Sequence, residues 1–359
     1  MTQGHPRERL GEERAKVRMI RPGVAAPGLA PRLGLTPFRE KGGVRYLELE
    51  TRSLMNRCSS REMPFEWTVN PYRGCAMGCR YCYATYTHEF LGVTSPEAFH
   101  STVFVKRGGQ EETARALARV VRRGERIALG TATDPYQPGE PMEGVTRRFL
   151  EMVARHRGVR ISITTKGAGI LKDMDLLSHI HSRSSLSIHV SLISMDASLL
   201  REIEPLAPPP EARIEVLRRL VAAGLDAGIS VAPVLPLLTD SHSCLEELLG
   251  RASGAGVRRM FHSVLFLRSP TREKYLGWLE AAFPEKVSAY RRAYAGRVRL
   301  PPSYGRRIGA RLSALREKHG FDRTRTSAGR GAFLPSPLEQ LALFPALSET
   351  RGRRNERLL

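Results

Sequence analysis

The stretch Asn70-Pro71-Tyr72-Arg73-Gly74-Cys75-Ala76-Met77-Gly78-Cys79-Arg80-Tyr81-Cys82-Tyr83 gathers three of the chain's five cysteines within eight residues, spaced Cys-x3-Cys-x2-Cys. Gly74 and Gly78 allow tight or left-handed backbone, so three thiolates can converge on one small volume. Thiolates are soft ligands suited to zinc, copper or iron–sulfur clusters. Structural zinc usually takes four protein ligands, commonly from two knuckles. No second knuckle follows here, because Cys58 and Cys244 stand alone. Three cysteines on a four-iron cluster would leave one iron open, and an open metal position is where chemistry happens.

Outward from this loop, strand and helix patterns alternate. Arg45–Glu50 alternates as a short strand. Glu111–Arg123 reads as an amphipathic helix, Arg126–Gly130 as a buried strand, and Val145–Arg155 as a helix. Strands are expected at 159–165, 186–192, 228–236 and 258–267, with helices at 170–181, 210–223 and 243–252 between and after them. Pro210 suits the first turn of its helix. Alternation of this kind implies a parallel sheet with right-handed crossovers. About six β/α units result, too few for a closed eight-fold barrel, and the chemistry of such folds lies at the carboxyl ends of the strands. Three further helices are expected at 272–283, 284–294 and 303–319.

The cysteine spacing, with an aromatic before the last cysteine, resembles the radical S-adenosylmethionine (SAM) superfamily. The flanks Asn70–Cys75 and Cys79-Arg80-Tyr81-Cys82-Tyr83-Ala84 resemble its spore photoproduct lyase-like branch, often described as DNA repair photolyases. The resemblance implies an α/β fold, an open partial (β/α)6 barrel. It also implies a 4Fe–4S cluster on Cys75, Cys79 and Cys82, whose open iron binds SAM. Reductive cleavage of SAM would then give methionine and a 5′-deoxyadenosyl radical that abstracts a hydrogen atom from substrate, using an electron donor the sequence does not name.

On the same resemblance, Thr131, Thr133 and Asp134 would meet the SAM amino group, although Asp134 before Pro135 fits a turn equally well. Lys166 in Thr165-Lys166-Gly167 would meet the SAM carboxylate, and Ser191 would be a hydrogen-bond partner. Glu204-Pro205-Leu206-Ala207-Pro208 followed by Arg213 matches a Glu-Pro…Pro…Arg signature. Arg213 would clamp a carboxylate, and Glu204 would bind ribose or orient Arg213. Tyr81 and Tyr83 are candidate hydrogen-atom relays, or aromatic packing around the cluster. The lyases carry a donor cysteine a few dozen residues after the cluster, whereas Ala84–Val145 contains none here.

Fifty-seven Lys and Arg against 36 Asp and Glu give a net charge of +21, which attracts polyanions such as phosphate backbones. Between Lys286 and Arg330 stand thirteen basic and two acidic residues, so the surplus forms a patch. The expected organisation is a flexible basic arm over 1–42, the barrel over 43–268, a basic helical extension over 269–322 and a mobile tail over 323–359. In the tail, Gln340-Leu341-Ala342-Leu343-Phe344 resembles the pentapeptide with which repair proteins bind the bacterial sliding clamp. The alternative for it is an amphipathic segment folding back on the domain. No apolar run of about 18 residues suggests a membrane span, and five cysteines, three of them clustered, suggest a reducing cytoplasm. The leading expectation is a radical SAM enzyme acting on nucleic acid, DNA in a lesion-processing role. Two alternatives are a radical SAM enzyme acting on a small molecule, peptide or RNA, and a non-catalytic iron–sulfur or zinc adaptor on DNA.

Overall fold

The computed structural model describes residues 39–322, apart from 42, 61–62, 92–94 and 96. The clamp-like pentapeptide and most of the N-terminal arm lie outside the described residues. In chain order the strands are β1 (Arg39–Lys41), β2 (Val44–Glu50), β3 (Met55–Arg57), β4 (Trp67–Val69), β5 (Tyr72–Arg73), β6 (Thr102–Arg107), β7 (Arg126–Leu129), β8 (Arg160–Thr165), β9 (Ser185–Ser191), β10 (Ala227–Val234) and β11 (Arg259–Val264). The longer helices are α1 (Gln110–Arg123), α2 (Val145–Ala154), α3 (Met174–His181), α4 (Ala197–Ile203), α5 (Pro210–Ala222), α6 (His242–Gly254), α7 (Thr271–Ala282), α8 (Pro284–Ala293) and α9 (Pro302–Lys318).

The main sheet runs β11-β10-β9-β8-β7-β4-β3. Six of its strands are parallel, and β3 is antiparallel to β4. The two ends of this order do not pair, so the barrel is partial and open between β11 and the β3–β4 edge. Strand pleat explains the layering. In β8, Ile161 and Ile163 are buried against the outer helices while Ser162 and Thr164 face inward. In β9, Leu186, Ile188 and Val190 go out while Ser187, His189 and Ser191 go in. Each such aliphatic side chain contributes about 1.5–3 kcal/mol by burial. Helix ends follow local chemistry: Asp196 caps α4 through Ser198 and Leu199, and Ser241 caps α6 through Cys244.

A second sheet of order β1-β2-β6-β5 lies beside the barrel. The strand expected at 45–50 is therefore not a barrel strand; it pairs in parallel with β6. Residues 39–41, assigned by sequence to the arm, form β1 against β2. Residues 170–173, read as the start of a helix, belong instead to a 3-10 turn (Ala168–Asp173) ahead of α3.

The C-terminal helices are bound into the barrel. Tyr275, Leu279, Val287, Tyr290, Ile308 and Leu312 share one hydrophobic core with the strands. The Thr271 hydroxyl donates to the Cys82 carbonyl at 2.8 Å, so α7 touches the cysteine loop directly. Among the described residues, no helix is long and apolar enough to cross a membrane.

Candidate active site

The cysteine loop leaves the carboxyl end of β4 and is pinned from three sides. Gly74 has φ +90° and Gly78 φ +75°. A Cβ on Gly74 would lie 2.6 Å from the Thr102 carbonyl oxygen, and one on Gly78 2.8 Å from Pro205 Cγ. Both positions therefore need glycine, for backbone conformation and for space. The Cys75 amide donates to the Phe99 carbonyl at 3.0 Å, and His100 Nδ1 donates to the Cys75 carbonyl at 2.8 Å. Gln137, fully buried, accepts from the Ala76 amide at 2.8 Å. From the other side, Arg80 donates its amide to the Ile203 carbonyl at 2.9 Å, and Leu206 donates its own to the Met77 carbonyl at 3.2 Å.

The three cysteines, which form no disulfide, line one cavity of about 640 Å³ together with Thr131, Thr133, Asp134, Lys166 and Ser191. The structure thus brings together residues from the ends of β4, β7, β8 and β9 that sequence singled out separately. Cys58 packs with Phe65 and Ala128 in a small core cluster, and Cys244 lies with Ser194 at the start of α6. Neither lines the cavity.

Burial, then Asp134 and the neighbouring thiols, pushes the Cys75 thiol far up, and burial pushes Cys79 up to about 12 against the opposing charge of Lys166. Burial also raises Cys82. Such thiols become thiolates only when a positively charged group compensates them, as a metal centre does. Among the described residues, no three His, Cys, Asp or Glu side chains are placed to hold a single metal ion. Three soft thiolate donors on one cavity suit an iron–sulfur cluster, which takes one thiolate on each iron. The donor set fits the cluster.

Each remaining candidate is already engaged. The Thr133 hydroxyl donates to the Gly74 carbonyl at 2.7 Å and accepts from Gln137 at 3.0 Å, so it holds the cysteine loop. Asp134 accepts from Thr165 Oγ1 at 2.6 Å, the Lys166 amide at 2.7 Å and the Tyr136 amide at 2.9 Å, bracing the ends of β7 and β8. Asn70 ties Thr131 and Ala132 to the end of β4. Ser191 Oγ approaches the Ala232 carbonyl at 3.5 Å.

Glu204 and Arg213 form a buried ion pair at 2.5 Å, with side chains 0% and 1% exposed. Neither lines the cavity. Arg213 also donates to the Pro208 carbonyl at 2.7 Å and the Ser191 carbonyl at 3.1 Å. Two roles were expected for Glu204, binding ribose or orienting Arg213, and the structure pairs it with Arg213. The carboxylate that Arg213 clamps here is that of Glu204. Lys166 Nζ lies 3.9 Å from the same carboxylate, and the Tyr81 hydroxyl donates to it. Burial alone would raise the Glu204 carboxyl, but Arg213 and then Lys166 hold it below the usual range. Burial alone would lower Lys166, but Cys79 and then Glu204 more than offset this, so it stays charged. The Tyr83 hydroxyl donates to the Thr131 carbonyl. Both tyrosines line the cavity, and burial raises both phenols.

Gln137, Asn70 and His100 were not singled out by sequence reasoning. Nothing in their spacing marks the role, because their partners, backbone groups together with the Thr131 and Thr133 hydroxyls, come from segments brought near only by the fold.

The family model for the Radical SAM superfamily matches residues 69–251, the stretch that carries this site. The chain belongs to the radical SAM superfamily. An uncharacterized protein of Mycobacterium tuberculosis is 37% identical over 326 residues, covering 90% of this chain and 92% of that protein. An uncharacterized protein of Methanocaldococcus jannaschii is 26% identical, covering 61% of this chain and 77% of that one. Among solved structures, a mutant of spore photoproduct lyase superposes with a TM-score of 0.58 at 15% identity, over 76% of this chain and 80% of that one. The lyase complexed with dinucleoside spore photoproduct superposes with a TM-score of 0.51 at 15% identity, over 67% and 66%. At these identities the likeness concerns the fold. As a radical SAM chain, the protein uses a 4Fe–4S cluster and S-adenosylmethionine.

Proposed function

We propose that this radical SAM chain acts on nucleic acid, DNA in a lesion-processing role, with its cluster held by Cys75, Cys79 and Cys82. The observation that carries the reading is the single cavity that joins the three thiols to the strand-end groups Thr131, Asp134, Lys166 and Ser191. Held by Cys75, Cys79 and Cys82, the cluster would supply the electron for reductive cleavage of SAM.

The chain's own residues position and insulate. Lys166 offers a charged donor for a carboxylate, and Ser191 a hydroxyl on the neighbouring strand. Thr133 and Asp134 hold the cysteine loop and the β7–β8 ends, on the cavity wall where the SAM amino group is expected. Glu204 and Arg213 act from behind the wall by fixing Lys166, Tyr81 and the Ser191 backbone. Tyr81 and Tyr83 line the cavity, and their hydroxyls donate to Glu204 and to the Thr131 carbonyl. If Tyr81 relays a hydrogen atom, it is the one hydrogen of its hydroxyl, which at rest is donated to Glu204.

Nucleic acid is favoured by the net charge of +21 and by exposed Arg292, Arg297, Arg306 and Arg307 on and beside α8 and α9. The test is anaerobic reconstitution followed by dithionite reduction, with and without ultraviolet-damaged oligonucleotide. Deoxyadenosine formation stimulated by the oligonucleotide is expected, together with DNA affinity that falls steeply with salt. Absence of deoxyadenosine defeats the catalytic reading, and salt-insensitive or absent DNA affinity defeats the nucleic-acid reading.

A further inference from the structure

The proposed SAM-binding groups all stand on β7, β8, β9 and the loops that follow them. The same cavity continues along β10 and β11, where Ser230, Ala232, Phe261, Ser263 and Leu265 line it with His189 of β9. Register fixes their heights. Ser191, Ser230 and Phe261 lie on one level across three strands, and His189 lies one level lower, about 6–7 Å toward the strand starts. Closed barrels fill these inward positions with bulky branched side chains in packed layers. Here serine and glycine recur, and the interior is hollow.

The chemistry of this wall is specific. Ser263 is 1% exposed and its Oγ has no hydrogen-bond partner among the described residues. A buried orphan hydroxyl costs free energy and calls for a partner that binds there. His189 is held neutral at neutral pH, its pKa lowered to about 4 by burial and by Arg259. Its ring therefore offers one donor and one acceptor. Phe261 adds an aromatic ring. Arg259, the one cation on this wall, is ion-paired to Asp226. The wall combines hydroxyls, a neutral imidazole and an aromatic ring, with no uncompensated charge.

We infer that Ser230, Ser263 and His189 are specificity-determining residues that hydrogen-bond an uncharged, flat ring of the substrate, the chemistry of a nucleobase edge. The assignment rests on the nucleic-acid reading and gives it a place: phosphates meet the basic exterior, and one base enters the hollow beside Phe261.

The test uses the full chain, cluster-reconstituted and SAM-loaded under anaerobic conditions. Fluorescence anisotropy at fixed salt measures its affinity for a labelled single-stranded pentanucleotide with a central thymine, and for the same strand with a central abasic site. Wild type is expected to prefer the base by about tenfold. Ser263→Val and His189→Leu should each remove most of that preference and leave abasic affinity unchanged, while Ser263→Thr, which keeps the hydroxyl, should retain it. If Ser263→Val does not fold, Ser230→Ala and His189→Leu carry the comparison. Equal affinity for the two strands, with strong salt dependence, overturns this assignment and leaves the nucleic-acid reading standing. A preference that survives all the variants also overturns it. Binding to neither strand defeats the nucleic-acid reading and this assignment with it.

Discussion

Arg213→Leu removes the cation from a pair whose members are 1% and 0% exposed and 2.5 Å apart. Breaking a buried pair from one side leaves an uncompensated charge, at about 3–5 kcal/mol. The variant also frees the carbonyls of Pro208 and Ser191, which accept from Arg213 at 2.7 and 3.1 Å. Lys166 remains 3.9 Å from Glu204 and softens the loss, so about 3 kcal/mol is expected, or roughly a 4–5 °C fall in Tm for a chain of this size. Urea unfolding of the cluster-free chain at pH 7 measures it. The sign of the pH dependence is fixed. In wild type the Glu204 carboxyl is held below its ordinary value near 4.5, so its contribution is full above that value and lost as pH falls through the lower folded one. In the variant, burial with fewer cations favours the neutral acid, so the deficit should shrink between pH 7 and pH 5. The double variant Glu204→Gln, Arg213→Met should recover at least about 1–2 kcal/mol relative to Arg213→Leu. A cost under about 1 kcal/mol, a deficit that grows on acidification, or strict additivity in the cycle would refute the reasoning.

Gly78→Ala places a Cβ 2.8 Å from Pro205 Cγ on backbone at φ +75°; a loss of about 1–3 kcal/mol and incomplete iron loading, read by iron and sulfide assay, are expected. Cys75→Ser, Cys79→Ser and Cys82→Ser should each abolish cluster absorbance after reconstitution, while Cys58→Ala and Cys244→Ala keep it; loss of iron in either of the latter would mean the ligand set is misassigned. His88 is fully buried between Phe99 and Phe104 and donates to the Thr102 carbonyl, with its pKa lowered to about 4 by burial. Its neutral form is compatible with the fold above pH 6.5, and stability should fall between pH 6.5 and about 4, by up to about 3 kcal/mol. His88→Gln should flatten that slope in denaturation measured across this range, and an unchanged slope would show that other groups set it.

The barrel was legible because its strands are long enough to show a period. Val159–Thr165 and Leu186–Leu192 alternate, and the helix between them buries Leu177 and Ile180 at helical spacing. The second sheet was not, because β5 has two residues and β6 is a continuous buried run, Thr102-Val103-Phe104-Val105, that alternates with nothing. Helix α4 escaped because it is short, although Asp196 marked its start. The hollow interior could have been read: Ile161-Ser162-Ile163-Thr164 and Leu186-Ser187-Ile188-His189-Val190-Ser191 place aliphatics on one face and small polar groups on the other. A packed barrel would carry bulk on both faces. The pairing of Glu204 with Arg213 was among the readings of the sequence, but their further partners, Tyr81, Lys166 and the Ser191 carbonyl, were not, because only the fold joins them.

Those partners explain why an ion pair stands where apolar residues would pack at less electrostatic cost. Residues 203–208 meet the cysteine loop through the amide of Arg80, the carbonyl of Met77 and the contact of Pro205 with Gly78. The same segment carries Glu204, which reaches Lys166 of the β8 end and Tyr81 of the loop, while Arg213 reaches back to the β9 end. Aliphatic side chains at 204 and 213 would fill the space and leave these four elements free to slide against one another. Charged, directional contacts fix their register instead. On the function proposed above, that register is what would keep Cys75, Cys79 and Cys82, Lys166 and Tyr81 in one mutual geometry around the cavity they line.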